Sequence, residues 1–432
     1  MTDSSPSPSA PDAPAQEFFG WKNIGLLFVM YMLGIGFVYY GFNIIFPEMV
    51  LSMGWSRGDA AWGHTVHGLL FGFAAPLVAL ATNKYGARKT MAAGLSVVVI
   101  GCVLLATVIT TIWQWVLVWG VVMSLGFAFG GLIPVQTTVA HWFDARRGTA
   151  LGLVMTAGGV GGFVGQPMYT WVIETFGGWQ SAWMVATGFA LAALLLTRFM
   201  VNKPEDIGQH PDGLDPGHAS HKAAHGASKV YKTRDTWTLR EAVGTLPLWI
   251  IVVLFLASVM PIYLLMVHGV LHMTDLNYSR MEAAGVLSFM LAGSAFARFP
   301  AGWLGDRIDP RRIVFILYIG ATVALAVLWK APNASLLITA GVVFGMAYGS
   351  ILVMGPTLIA NYYGALSLAS INGFIFPVQI VIASMVPVAA GYMADSSGNY
   401  DIAFMVVIGF MGFAAPCALL ARPPQKKSTN TN

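Results

Sequence analysis

Residues 287–312 read LSFMLAGSAFARFPAGWLGDRIDPRR, an apolar run that is broken by one arginine, Arg298, and that ends in a charged loop. A membrane-spanning helix needs about 20 mostly apolar residues, and the run at 282–304 has that length. A charged side chain inside such a helix is costly, and by default it marks a functional site. The stretch therefore predicts a membrane helix with a functional cation inside it.

The rest of the chain repeats this pattern of apolar runs. Hydrophobic residues make up 56% of the 432 residues and charged residues only 10%, against about 25% charged in a soluble domain. This composition excludes most soluble enzymes, and the long continuous runs disfavour a transmembrane β-barrel. The 12 predicted runs are 21–46, 60–81, 90–110, 113–140, 148–172, 179–200, 246–270, 282–304, 312–330, 334–360, 367–393 and 401–421.

The two halves of the chain resemble each other at an offset of about 220 residues. GVVMSLGFAFG begins at Gly120 and GVVFGMAYG at Gly341, and Pro167 corresponds to Pro387. Parallel repeats of this kind are typical of transporters whose site lies between the halves. The sequence predicts an all-α membrane protein of twelve transmembrane helices in two pseudo-symmetric six-helix bundles. Its predicted parts are a disordered tail at 1–20, a bundle at 21–200, a hydrophilic linker at 201–245, a bundle at 246–421 and a tail at 422–432.

Lysine and arginine are distributed unevenly between the loops. The loops on the side of the N-terminus hold 19 of the 23, and the opposite loops hold three, Arg57, Arg280 and Lys330. Because basic residues are enriched in cytoplasmic loops, both termini and the linker are predicted to be cytoplasmic, in a protein of the cell inner (plasma) membrane.

The loop GWLGDRIDPRR at 302–312 resembles the cytoplasmic signature of the major facilitator superfamily, in which a Gly, three residues and Asp-Arg precede a basic cluster. The first half carries a weaker copy, ATNKYGARK at 81–89. The segment HWFDARRGTALG at 141–152 is similar to the monocarboxylate porter and oxalate–formate antiporter branch. This resemblance implies the major facilitator fold. It also implies a gate on the cytoplasmic side, with candidates Asn83, Arg88, Asp306 and Arg307.

Arg298 is the principal candidate for substrate binding. All 19 Asp and Glu residues lie in loops, tails or helix ends, so a transported anion is predicted to supply its countercharge. Its planar guanidinium suits a carboxylate. The resemblance agrees, since an Arg followed by Pro in helix eight binds the anion in monocarboxylate porters. Helix–helix hydrogen bonding is the alternative role for the other candidates, Tyr39, Tyr40, Asn43, Tyr348 and Gln379.

His67 is the candidate for proton coupling, because histidine titrates near physiological pH. Proton-linked porters often carry Asp at the position of Ser294 and Lys in helix one, and this sequence has no lysine in the core of helix one. His64 and His67 have spacing that suits a metal, but no third ligand is evident, so no metal or cofactor is predicted.

The sequence therefore predicts a secondary active transporter of small organic anions, such as lactate-like or pyruvate-like monocarboxylates, working by alternating access with proton symport. The alternatives are an organic-anion antiporter of the oxalate–formate type, which exchanges a counter-anion, and a transporter-derived membrane sensor. No metalloprotease, nucleophile-elbow or P-loop motif is present, so an enzyme is not predicted. The short basic blocks orient membrane helices and do not predict nucleic-acid binding.

Overall fold

The structure is a computed structural model of the chain, and it describes residues 17–143, 146–213, 230–233, 235, 237–305, 307–330, 333–364 and 367–426. Within these ranges the regular structure is helical, and no strand occurs. Backbone groups within a bilayer have no water to bond with, and a helix satisfies them internally.

Twelve long helices form two halves of six, which confirms the predicted fold class. Eleven of them are long and apolar enough to cross a membrane, and the glycine-rich α5 is the twelfth, a helix of 30 residues. The first half contains α1 Gly20–Met53, α2 Arg57–Tyr85, α3 Ala87–Thr107, α4 Ile112–Trp142, α5 Arg147–Phe176 and α6 Gly178–Phe199. The second contains α7 Leu246–Asp275, α8 Arg280–Gly305, α9 Pro310–Lys330, α10 Ala334–Tyr363, α11 Leu368–Ser397 and α12 Asp401–Leu420.

Two helices of the first half contain π-helical segments. In α1 the segment is Met32–Tyr39, and in α4 it is Val116–Met123. Such wide turns are rare and occur frequently at functional sites. Helix α1 also continues past its predicted end at 46 to Met53.

The halves meet along helix pairs that contribute one member each: α2 packs on α11, α5 on α8, and α1 on α7. Within the first half, α1 and α5 approach at two glycines. A Cβ atom added to Gly36 would lie 2.6 Å from the Cα of Gly161, so only glycine permits this backbone contact.

The internal repeat is visible in equivalent hydrogen bonds. At the end of α4, the indole N–H of Trp142 donates to the carbonyl of Val201, just after α6, at 3.1 Å. At the end of α10, the hydroxyl of Tyr362 donates to the carbonyl of Ala421, just after α12, at 2.5 Å. Both bonds lie on the side that carries the two chain ends and the segment between the halves. We call this side the linker face and the opposite side the far face.

Candidate functional site

Arg298 lies in α8, about two turns before the helix ends at Gly305, and its side chain is half-buried. Its Nε atom is buried and has no hydrogen-bond partner. Each ion pair in the described part of the chain joins other residues, so no acidic side chain there neutralises it. A cation held in a membrane helix without a fixed partner is costly, which makes this position a candidate functional site.

Three tyrosines from two helices lie within electrostatic reach of this cation. Tyr31 and Tyr40 of α1 and Tyr348 of α10 all interact electrostatically with Arg298. Each hydroxyl can donate a hydrogen bond to a carboxylate. We call Arg298 and these three residues the anion cluster.

The sequence pattern did not identify Tyr31. It lies nine residues before Tyr40, about two and a half turns of a regular α-helix, which would place the two side chains on opposite faces. The π-helical segment Met32–Tyr39 lies between them and changes this register. No periodicity in the sequence indicates that residues 32–39 form a π-helical segment.

Glycines of α5 position the cluster. A Cβ atom added to Gly158 would lie 3.2 Å from Tyr31, and one added to Gly162 would lie 3.0 Å from Tyr40. A Cβ atom at Gly159 would lie 2.8 Å from the Cβ of Ala295, one turn before Arg298. The glycine-rich face of α5 therefore brings α1 and α8 together around the site.

The other predicted substrate residues lie outside the cluster. The ring of Tyr39 packs beside Tyr40 at 5.5 Å and beside His67 at 5.6 Å between centroids. Asn43 is buried, and its amide donates to the sulfur of Met266 in the other half at 3.1 Å. Gln379 is half-buried in α11, and no hydrogen bond of its side chain occurs in the described ranges.

The predicted cytoplasmic gate is described only in part, because Asp306 lies outside the described residues. The guanidinium of Arg307 lies over the ring of Trp303, 3.8 Å from its centroid. Asn83 and Arg88 are exposed, and the backbone amide of Arg88 donates to Asn202 at 2.7 Å. These contacts stay within one half of the chain.

An ion pair that the sequence did not indicate joins Asp309, in the loop after α8, to Arg311 in the first turn of α9, at 2.6 Å. Burial of the Asp309 carboxyl opposes its ionisation. Hydrogen bonds from the side chain and backbone of Arg311 outweigh burial and lower the pKa of Asp309 below its ordinary value.

The far face holds contacts that join the two halves, which we call the far-face closure. Arg57, at the start of α2, forms two hydrogen bonds to Asp275 at the end of α7, at 2.5 and 2.8 Å. Asp395 in α11 accepts from the backbone amides of Arg57 and Gly58 at 3.1 and 2.9 Å, so it caps a helix of the other half.

Two more contacts strengthen this closure. The hydroxyl of Tyr392 donates to Asp59 at 2.7 Å, and Arg280 pairs with Glu48 at 2.7 Å. On the linker face, the ion pairs within the described ranges remain inside one half, as between Lys426 and Glu241. The conformation is therefore one in which charged contacts hold the halves together on the far face.

Asp395→Ala is expected to open the far face. It removes two backbone hydrogen bonds of a helix cap, which together contribute about 1–2 kcal/mol, a five- to thirty-fold change in the ratio of closed to open forms. Spin labels at Ser52→Cys and Ile402→Cys, in a Cys417→Ser background, report the distance across this face. Asp401→Ala is the control, because Asp401 bonds Trp329 within one half. Identical distance distributions for Asp395→Ala and its parent would contradict the closure.

Comparison with known proteins places these observations in context. The model of the Major Facilitator Superfamily matches residues 26–294 and 269–432. Monocarboxylate transporter 12 of Rattus norvegicus is 25% identical over 384 residues, which covers 84% of this chain and 77% of the relative. Monocarboxylate transporter 2 of Homo sapiens is 26% identical over 419 residues, covering 93% and 85%.

Two solved structures share the fold. A mutant of the nucleoside transporter NupG superposes with a TM-score of 0.69 at 12% identity, covering 92% of this chain and 99% of its own. A bacterial homologue of the human lysosomal transporter Spinster, in an inward-facing and unoccupied conformation, gives a TM-score of 0.69 at 14% identity, covering 94% and 97%. At such identities the likeness concerns the fold alone.

Proposed function

The chain belongs to the Major Facilitator Superfamily, a family of transporters and not of enzymes, and we propose that it carries small organic anions, best represented by lactate-like and pyruvate-like monocarboxylates. The observation that carries this proposal is Arg298, a cation among tyrosine hydroxyls with no acidic partner in the described ranges. The printed names of the curated relatives agree with it.

The chemistry of the anion cluster favours a single carboxylate. The guanidinium offers two parallel N–H donors to one carboxylate, and three tyrosines interact with it electrostatically. Those hydroxyls can bond the remaining carboxylate lone pairs or a 2-hydroxyl group. One arginine balances one negative charge, which favours a monoanion over a dianion.

Alternating access is the proposed mechanism. In the present conformation the halves are tied by charge on the far face, where Arg57 meets Asp275. Breaking that contact while the linker face closes would expose the cluster to the opposite side. We propose Asn83, Arg88, Asp306 and Arg307 as the gate of the linker face. We also propose that the first bundle ends at 200 and that the second begins at 246.

The far face is proposed to be the outer side of the cell inner membrane, with both termini in the cytoplasm. The support is the distribution of 23 lysines and arginines, of which the far-face loops hold Arg57, Arg280 and Lys330. A reporter that is active only in the cytosol is expected to be active when fused after Asn432. Activity of a periplasmic reporter at the same position would reverse the orientation.

Coupling to an inward proton gradient is proposed for the transport cycle, with His67 as the candidate carrier. The second candidate is organic-anion antiport of the oxalate–formate type. The observation that favours it is Ser294, whose buried hydroxyl without a partner stands one turn before Arg298 and provides no titratable group.

Reconstituted liposomes test these proposals directly. We expect labelled lactate or pyruvate to enter in exchange for internal unlabelled substrate, and to accumulate when the outside is more acidic. Oxalate and an organic cation serve as the comparison substrates. Exchange of oxalate for formate without a response to pH would favour the antiporter, and absence of any organic-anion exchange would refute the anion proposal.

A further inference from the structure

A file of titratable side chains runs from the far face toward the anion cluster. In order from the far face, its members are Tyr400, His268, His64, His67 and Tyr39, and we call them the histidine file. We propose that protons move along this histidine file and that His64 and His67 together hold the coupled proton. The inference rests on the proposed transport of anions, and it adds a site and a route that are separate from Arg298.

The file begins at the far-face closure. The guanidinium of Arg57 lies over the ring of Tyr400, 5.1 Å from its centroid. Nε2 of His268 lies 2.8 Å from the carbonyl of Pro387, which can only accept, so this nitrogen carries the hydrogen. Nδ1 of His268 is then the acceptor for the hydroxyl of Tyr400 at 3.0 Å. A proton that reaches the hydroxyl of Tyr400 can therefore pass to Nδ1 of His268.

The middle of the file is a pair of stacked imidazoles. His64 interacts electrostatically with His268, and its ring lies parallel to that of His67 with centroids 6.0 Å apart. Both side chains are buried, with 3% and 2% exposure. Because two positive charges at this separation repel each other in a buried site, the pair holds one proton and not two.

His67 is prepared to receive that proton. Its Nδ1 lies 3.0 Å from the carbonyl of Trp119, so Nδ1 carries the hydrogen and Nε2 holds the free lone pair. Nε2 of His67 and Nδ1 of His64 are both buried without a hydrogen-bond partner. Two unsatisfied nitrogens in one buried pair are costly unless a proton or water occupies the site in part of the cycle.

The file ends at the anion cluster. The ring of Tyr39 lies 5.6 Å from that of His67 and 5.5 Å from that of Tyr40, which interacts with Arg298. The titratable groups that face the histidine pair are Tyr39 of α1, together with two residues of α7. The α7 residues are Tyr263 and His268. Within the described ranges no carboxylate lies among these contacts, so the proton added to the pair is a net positive charge.

This charge balances the transported anion. Without the proton, binding a monocarboxylate neutralises Arg298, and the loaded and empty carriers differ by one charge. In the proposed cycle, H⁺ from water at the far face binds Nε2 of His67 when the anion binds. The same H⁺ leaves when the anion leaves. Loaded and empty carriers then have the same charge, and transport is electroneutral.

His67→Asn is the decisive variant, because the amide keeps an N–H donor for the carbonyl of Trp119 and removes the titratable nitrogen. His64→Gln is the second variant. His272→Gln is the matched control, since His272 is a buried imidazole bonded to the carbonyl of Trp329 at 3.1 Å. Its ring packs against Tyr400 and Phe404 and not against the pair of His64 and His67. Liposomes with a trapped pH indicator and a set membrane potential measure lactate counterflow, lactate-driven proton entry and the effect of voltage.

The unmodified protein and His272→Gln are expected to show counterflow, proton movement and no dependence on voltage. His67→Asn and His64→Gln are expected to keep counterflow, to lose proton movement to the level of protein-free liposomes, and to become sensitive to voltage. Proton-coupled uptake by both variants would overturn the inference, and so would equal loss of counterflow and coupling in both. Counterflow by the unmodified protein without proton movement would also overturn it while leaving anion transport standing. Absence of counterflow in the unmodified protein would instead refute the proposed function.

Discussion

Arg298→Ala is expected to lower the efficiency of lactate uptake about 100-fold. A carboxylate bound by the guanidinium gains two charged hydrogen bonds at about 1.5 kcal/mol each, and their loss of about 3 kcal/mol corresponds to that factor. Arg298→Lys keeps the charge and loses the planar fork, so it is expected to cost one such bond, about tenfold. Initial rates of labelled uptake into liposomes measure both variants.

A stability measurement separates loss of binding from loss of folding. Arg298 has no acidic partner in the described ranges, so its replacement by alanine removes an uncompensated cation and is expected to leave thermal stability unchanged or raised. Lys330→Ala, on the far face with its ammonium over Trp329, is the control for charge and is expected to transport normally. Uptake by Arg298→Ala at the parental rate would contradict the anion site.

Gly349→Ala is expected to impair both packing and transport. A Cβ atom at Gly349 would overlap the carbonyl of Ser294, as one at Gly345 would overlap that of Met290, so α8 and α10 would have to separate. Forcing an extra methyl group into a packed interface costs about 1–3 kcal/mol. Ser294 lies one turn before Arg298, so the same displacement moves the guanidinium away from Tyr348.

The same substitution at an open position gives the contrast. No atom lies within 4 Å of a Cβ placed on Gly320 of α9. Alanine is the better helix former there by about 1 kcal/mol, so Gly320→Ala is expected to raise thermal stability while Gly349→Ala lowers it. Thermal unfolding of the detergent-purified protein, followed by size-exclusion fluorescence, measures both, and equal shifts of the same sign would refute the close packing of α8 on α10.

Much of the fold could be predicted from local properties of the chain. Hydropathy over about 20 residues identifies a membrane helix without knowledge of its neighbours, and all twelve predicted runs correspond to helices of the structure. The resemblance of the loop at 302–312 to the superfamily signature is confirmed by the family match. Arg298 was also identifiable, because a charge within an apolar run is visible in the sequence itself.

The candidate site was predictable only where a residue's type and depth were sufficient. Tyr40 and Tyr348 were selected on that ground, and both interact with Arg298. Tyr31 was missed because the π-helical segment changes the register of α1. Asn43 has a polar amide of the kind that could bind a substrate. Its contact with Met266 depends instead on the packing of α1 against α7, which the sequence does not reveal.

The sequence by itself thus determined the number of helices, the two halves and the cation within a membrane helix, because each follows from hydropathy or repetition along the chain. The tertiary structure alone decided which polar groups meet. The guanidinium of Arg57 pairs with Asp275, 218 positions away, and its backbone amide donates to Asp395, 338 positions away. It also decided the order of the histidine file, which crosses from α7 to α2. The physical reason is that hydrogen bonds and ion pairs depend on distance in space, and that distance is set by how glycine-rich helices pack and where their turns widen.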